Sequence, residues 1–252
     1  MLRTLILPLT LTLLMGCNDW PPEKMYPSVA VPANTEDVDP WIKKLLHSDV
    51  ASATNLLNAR ISSDSVGLEP LVRRMSEFVP CQVSFSSGVG YLRCTRRYKD
   101  VTSGQYMYDA LYIAQPMPDQ LLRSRLDYFD QSVRPLAKTF LLRFAGSGEE
   151  MEGTAGHFTF LHWPTASDFG SRNDESFGDW RDARLFYAAM NGDSVFIKPD
   201  GSTAWHVIET DAMIPIASTL EEFIRIYADF RTTHAVFDSW AYRIFKDKDR
   251  TK

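Results

Sequence analysis

Asn191-Gly192, set between the apolar runs Leu185 to Met190 and Ser194 to Lys198, leaves this chain few ways to fold. A two-residue hairpin loop of the favoured kind needs positive φ at both central positions. Asn and Gly tolerate that and most residues do not, so the two runs are set to pair antiparallel. Asp200-Gly201 marks a second turn, and Trp205, Val207 and Glu209 alternate as a third strand. Ser218-Thr219-Leu220-Glu221 fits a capping box, and Leu220, Phe223, Ile224 and Tyr227 follow at i, i+3, i+4 and i+7. The expectation is a three-stranded meander closed by an amphipathic helix. Residues 231–246, with Phe237, Trp240, Tyr242 and Phe245, read as a final aromatic helix.

The front of the body has its own signals. Asp39-Pro40 is a helix start, an N-cap followed by proline at the first helical position, and an apolar stripe from Trp41 to Leu57 predicts one or two helices over 40–60. Leu68, Leu71, Val72, Met75 and Phe78 place a short helix over 68–78, and Gln105 to Gln115 reads as a strand. Helices are expected from Pro118 to about Gln131 and from Pro135 to Phe144, then a strand over His157 to Trp163.

At the N-terminus, Arg3 is followed by Leu5, Ile6, Leu7, Leu9, Leu11, Leu13 and Leu14. A positive residue before an apolar run of this length is the pattern of a secretory signal over residues 1–16. The run falls short of the roughly 20 residues needed to cross a bilayer as a helix. Leu14-Met15-Gly16-Cys17 resembles the lipobox of bacterial lipoproteins. The resemblance implies cleavage before Cys17, diacylglycerol on its sulfur, a further acyl group such as palmitate, and a place in the cell envelope facing the periplasm. An ordinary cleaved signal, with Cys17 incidental, is the alternative. Residues 17–39 carry Pro21, Pro22, Pro27 and Pro32, a composition that favours extended spacers, so they read as a poorly ordered tether.

With Cys17 so assigned, Cys81 and Cys94 remain, an even number in a compartment that permits disulfides. A hairpin turning at Ser87-Gly88 puts them directly opposite each other, which predicts a cross-strand disulfide. The group Arg93, Arg96, Arg97 and Lys99 reads either as a solvated strand end or as a contact for lipid headgroups. The formal net charge is −5, and no lysine-arginine run suggests a nucleic-acid groove.

No arrangement of catalytic residues stands out. His47, His157, His162, His206 and His234 lack metal-ligand spacing, and no nucleophile elbow, Walker loop or dinucleotide fingerprint is present. The expectation is a protein that is not an enzyme and needs no cofactor or metal. The polar stretch 165–182 is the candidate partner-binding surface. Asp168, Asp174, Glu175, Asp179 and Asp182 outnumber Arg172 and Arg181, and Phe169, Phe177 and Trp180 are interleaved with them. Carboxylates steer a basic protein, and aromatics beside charge suit interface anchors.

The run Phe186 to Asp193, then Phe196-Ile197-Lys198-Pro199-Asp200-Gly201, Trp205, Ile216-Ala217-Ser218 and Phe223-Ile224, resembles the C-terminal half of the SUKH superfamily. That superfamily includes the SMI1/KNR4-like proteins and many bacterial immunity proteins. The resemblance implies an antiparallel sheet flanked by helices and a role in binding a protein toxin. The expected fold class is α+β, with N-terminal helices and a disulfide-linked β-hairpin over 40–117 and a SUKH-like region over 118–252. An envelope structural or assembly lipoprotein, or an envelope hydrolase, is the alternative.

Overall fold

Asp39 and Pro40 start the first helix as their chemistry dictates. In the computed structural model, which describes residues 21–34, 36–62, 67–99, 104–151, 154–159, 163–169, 174–189, 192–208 and 212–232, the Asp39 carboxylate accepts from the Trp41 N–H at 2.7 Å. This opens α1 (Pro40–Leu46), and Asp49 caps α2 (Val50–Ile61) by accepting from the Ser52 N–H at 2.7 Å. α3 (Glu69–Met75) follows. The signal segment, Cys17 and the expected helix over 231–246, apart from the last residues of α7 below, lie outside the described residues.

The chain is α+β. Strands β1 (Val79–Ser86), β2 (Val89–Lys99) and β3 (Tyr106–Ala114) lead to α4 (Asp119–Leu126) and α5 (Arg134–Phe144). Next come β4 (Gly148–Met151), β5 (Thr154–Phe158), α6 (Ala166–Phe169) and a 3₁₀ segment over Asp174–Trp180. β6 (Arg184–Ala189), β7 (Ser194–Ile197), β8 (Thr203–Val207), β9 (Ala212–Ala217) and α7 (Leu220–Thr232) complete the described order. Each strand pairs antiparallel with the next, in the order β1 to β9. The meander foreseen after Leu185 is present and extends further in both directions.

The β1–β2 hairpin turns where expected, with Ser87 at φ +49° and Gly88 at φ +77°. Pairing runs regularly from Ser86 opposite Val89 to Gln82 opposite Arg93. One more step would oppose Cys81 to Cys94, but the register shifts there and Cys94 faces Pro80. Cys81 is the additional residue of a β-bulge, a local irregularity that a hairpin count from the turn does not anticipate. The expected disulfide is therefore corrected: Cys81 and Cys94 are both buried thiols and are not joined. The Cys81 Sγ instead donates to the Arg93 carbonyl at 3.4 Å.

The proline-rich segment also departs from expectation. Rather than spacing the body from its surroundings, it lies along the outer edge of β1. The Tyr26 N–H donates to the Cys81 carbonyl at 2.7 Å and the Val29 N–H to the Val83 carbonyl at 3.0 Å, while the Phe85 N–H donates to the Val29 carbonyl at 3.1 Å. Pro22 is buried and Met25 packs on the core. An edge strand's row of open backbone groups invites pairing with other chains, and this segment occupies it. At the far edge, β9 carries Pro215, which suits an outermost strand, and the 3₁₀ segment lies against it.

One core joins the helices to a face of the sheet. Ile42, Leu57, Leu71, Leu92, Leu111, Phe140, Tyr187, Trp205 and Phe223 belong to it, so residues on both sides of the 117/118 boundary share its packing. Its centre is a stack of rings: Phe140 meets Phe158 edge-on at 4.8 Å, and Phe158 meets Tyr187 at 5.2 Å and Phe186 at 5.5 Å. Gly156 makes room for this stack, because a Cβ there would fall 2.0 Å from the Tyr187 hydroxyl oxygen. α7 packs on α3 and α5. Its cap is set one residue later than Ser218 and Glu221 suggested. The Thr219 hydroxyl accepts from the Glu222 N–H at 3.1 Å, and the Glu222 carboxylate reaches back to the Ser218 N–H at 2.7 Å.

Beneath α3 lies a buried ionic group. The Asp109 carboxylate, fully buried, accepts from Arg96 at 2.5 Å and lies 3.9 Å from Arg74, while Arg96 also pairs with Glu77. Phe78 is flanked by both guanidiniums, at 5.4 Å from Arg74 and 5.2 Å from Arg96. Two of the basic residues grouped from the sequence thus part company. Arg96 is turned into the body, and Arg97 is exposed on the opposite face of β2.

Candidate functional site

The described parts of the stretch 165–182, residues 165–169 and 174–182, form a flap folded over the second face of the sheet. Its ends are fastened to each other: the Ala166 N–H donates to the Ala183 carbonyl at 2.8 Å and the Ser167 N–H to the Arg181 carbonyl at 3.1 Å. A loop closed on itself in this way packs by its own side chains. Here it forms a small second core of Ala166, Phe177, Ala183, Leu185 and Phe196, with Trp180, Ala188 and Met213 against it. His206, also buried, lies 5.3 Å from the Phe177 ring and 6.1 Å from the Phe196 ring.

The candidate residues separate accordingly. Phe177 is 1% exposed, so it holds the flap down and is not available as an interface anchor, which corrects the expectation for that residue. The reason is that strand β7 presents Phe196 to this face and a large apolar partner is needed to cover it. Trp180 is half-buried, with the Lys198 ammonium 4.2 Å from its ring centre, a contact of the cation–π kind. Asp168, Asp179 and Asp182 are exposed. Phe169 ends α6, and Asp174 and Glu175 open the 3₁₀ segment; their side chains lie outside the described positions.

Asp168 has a local task as well. Its carboxylate accepts from the Thr165 hydroxyl and from the Thr165 N–H, each at 2.7 Å. These donors hold its pKa below the ordinary carboxylate value, with the nearby Arg184 acting in the same direction. Where the chain leads into the flap, Arg184 donates to the Trp163 carbonyl at 3.1 Å, and Arg125 donates to the Thr159 carbonyl at 3.1 Å. The Arg125 guanidinium sits 5.0 Å from the Trp163 ring centre, and burial draws its pKa down to about 10. Tyr128 donates to the Ile197 carbonyl at 2.8 Å, and burial pushes its phenol up. This brace of Arg125, Tyr128, Trp163 and Arg184 was not foreseen. Arg125 and Tyr128 are neighbours at the end of α4, but Trp163 and Arg184 lie tens of residues further on, and no local pattern links them to that pair.

A cleft of about 290 Å³ lies between the starts of α3 and α7, beside Gly67, Glu69, Glu221, Glu222 and Arg225. Two of its carboxylates are engaged as caps: Glu69 accepts from the Gly67 N–H at 2.8 Å and Glu222 from Ser218. Among the described residues no group of three or more His, Cys, Asp or Glu is placed to hold a metal ion. No helix of the described residues is long and apolar enough to cross a membrane. The chain matches no family model, no curated protein and no solved structure.

Proposed function

We propose that this chain is a lipid-anchored protein of the bacterial envelope, held through Cys17, facing the periplasm, and binding a protein partner with the outer surface of the 165–182 flap. The observation that carries the reading is the exposure of Asp168, Asp179 and Asp182 on a flap fixed in place from beneath by Phe177. Carboxylates on a rigid support attract a basic partner without a large ordering cost. The resemblance of residues 118–252 to the SUKH superfamily supports taking that partner to be a toxin directed at the envelope, with this chain as its immunity protein. Occlusion of a toxin's working surface needs an interface of roughly 1,200–2,000 Å² in total, so the flap would be the centre of a wider footprint.

The test is capture of the partner from envelope extracts on the purified acylated protein, followed by the same capture with Asp179→Lys and Asp182→Lys together. The expected outcome is a basic protein whose association slows with added salt and is lost with the charge reversal. Equal capture by the reversed variant would remove the flap from the interface. Metabolic labelling with palmitate, in wild type against Cys17→Ser, tests the anchor separately; equal labelling of the two would end that part of the reading.

A further inference from the structure

The far end of the β2–β3 ladder presents a pair of cations beside a pair of tyrosines. Arg97 is paired across the strands with Tyr108 and Lys99 with Tyr106. Side chains two apart on a strand share a face, so all four lie on one face of the sheet. It is the face turned away from Arg96, Asp109 and the α3 side of the ladder. Tyr106 is 59% exposed and Tyr108 37%, and the Arg97 guanidinium lies 4.3 Å from the Tyr106 ring centre. The pairing of β1 ends at Val79 opposite Thr95, so this part of the ladder reaches beyond its neighbour.

The path of the N-terminal segment bears on what this end meets. Residues 26–29 run parallel to β1, with Tyr26 bonded beside Cys81 and Val29 bridged to Ser84. The chain therefore enters from the end at which β1 begins, the end from which Arg97, Lys99, Tyr106 and Tyr108 project. Cys17 stands four positions before Pro21. Four extended residues span at most about 14 Å, and with the proline-rich stretch bound to the body there is no longer spacer to pay out.

We propose that the Arg97, Lys99, Tyr106 and Tyr108 patch rests on the bilayer surface beside the anchor, with the cations at anionic phospholipid headgroups and the two phenols at the interface. The inference rests on the reading of Cys17 as lipidated. Tyrosine suits this depth because its ring is apolar and its hydroxyl stays wet. Arg and Lys extend their charge to headgroups along apolar stems. Such a contact fixes which side of the body faces the membrane, so the molecule would lean on one edge of its sheet rather than swing on a tether.

The test uses the acylated protein in vesicles of phosphatidylglycerol and phosphatidylethanolamine, carrying an environment-sensitive dye on Tyr106→Cys. The same dye on Lys138→Cys, an exposed position of α5 on the outer side of the helical layer, serves as the reference. The expected result is a blue-shifted dye at position 106, quenched by lipids brominated near the headgroup, and a wet dye at position 138. Arg97→Glu with Lys99→Glu should return the dye at 106 to water while the protein stays on the vesicles. Each lost cation should weaken contact with an anionic surface by about fivefold. A lipidated protein with a dye at 106 as wet as at 138 overturns this inference alone. A mature protein whose intact mass lacks diacylglycerol overturns the anchor and this inference together.

Discussion

At the scale of single residues, the molecule depends on a few positions where size or charge leaves little latitude. Gly156→Ala would drive a methyl group into the Tyr187 ring at the centre of the aromatic stack. The expected loss is about 1–3 kcal/mol, the usual cost of forcing additional volume into a packed site, measured as a lower urea midpoint at unchanged slope. The two body cysteines give a second expectation. Unfolded without reductant, the mature protein should titrate Cys81 and Cys94 as two thiols, and both should be silent to thiol reagents while it is folded. Burial raises the Cys94 pKa well above its ordinary value and withholds the reactive thiolate. A missing pair of thiols after unfolding would instead signal the bond that the bulge at Cys81 interrupts.

Asp168 carries the pH expectation. Its folded pKa lies below the ordinary 3.8 because the Thr165 hydroxyl and N–H donate to the ionised form. A depressed carboxylate pKa stabilises the fold above the unfolded value, and the contribution fades as pH falls through the folded one. The flap should therefore loosen on the acid side of the ordinary carboxylate range, and Asp168→Asn should remove that dependence. Amide exchange at Ala166 and Ser167, followed through an acid titration, measures it.

At the scale of elements, the turns and caps were legible and the coverings were not. Ser87-Gly88, Asp200-Gly201 and Asp39-Pro40 each specify local backbone geometry, and each appears where its residues put it. β4 and β9 were missed because Gly148-Glu-Glu-Met151 lacks apolar alternation and Pro215 interrupts the other run. Both become strands because neighbouring strands offer open ladders, a tertiary override of local preference. The flap read as a polar excursion because charge dominates its composition. One phenylalanine facing Phe196 decided its fold, and nothing adjacent in sequence announces that partner. The proline-rich stretch misled for a similar reason, since its backbone bonds go to a strand more than fifty residues away. Val29→Pro deletes the N–H that bonds Val83, a bond the ring cannot replace. The expected result is an exposed β1 edge and concentration-dependent association, followed by light scattering, with the flap's exchange pattern unchanged.

At the scale of the whole molecule, the surface is divided among distinct tasks. One side of the sheet carries the helical layer and the main core, and part of the other carries the flap with its exposed carboxylates. The candidate binding surface was half visible from composition. The charge of the stretch announced exposed positions, which Asp168, Asp179 and Asp182 occupy, but the division between Phe177 beneath and Asp179 and Asp182 outside needed the fold. The ionic group of Arg74, Arg96, Glu77 and Asp109 could not be read from sequence, because α3, the turn after it, β2 and β3 each deliver one member.

The neighbour-to-neighbour order of the nine strands among the described residues has a kinetic consequence. Each described strand pairs with the strand before it in the chain, so most of the pairing search is short, with α4 and α5 between β3 and β4 and the flap between β5 and β6 as the longer steps. The contact between α3 and α7 is different in kind, because it joins segments near residues 70 and 225. A chain made from its N-terminus can pair strand after strand as it emerges, yet cannot close until nearly all of it has arrived. What waits for the last helix is the side of α3 on which α7 seats, whereas β1 and β2 already have α1, α2 and residues 26–29 beside them.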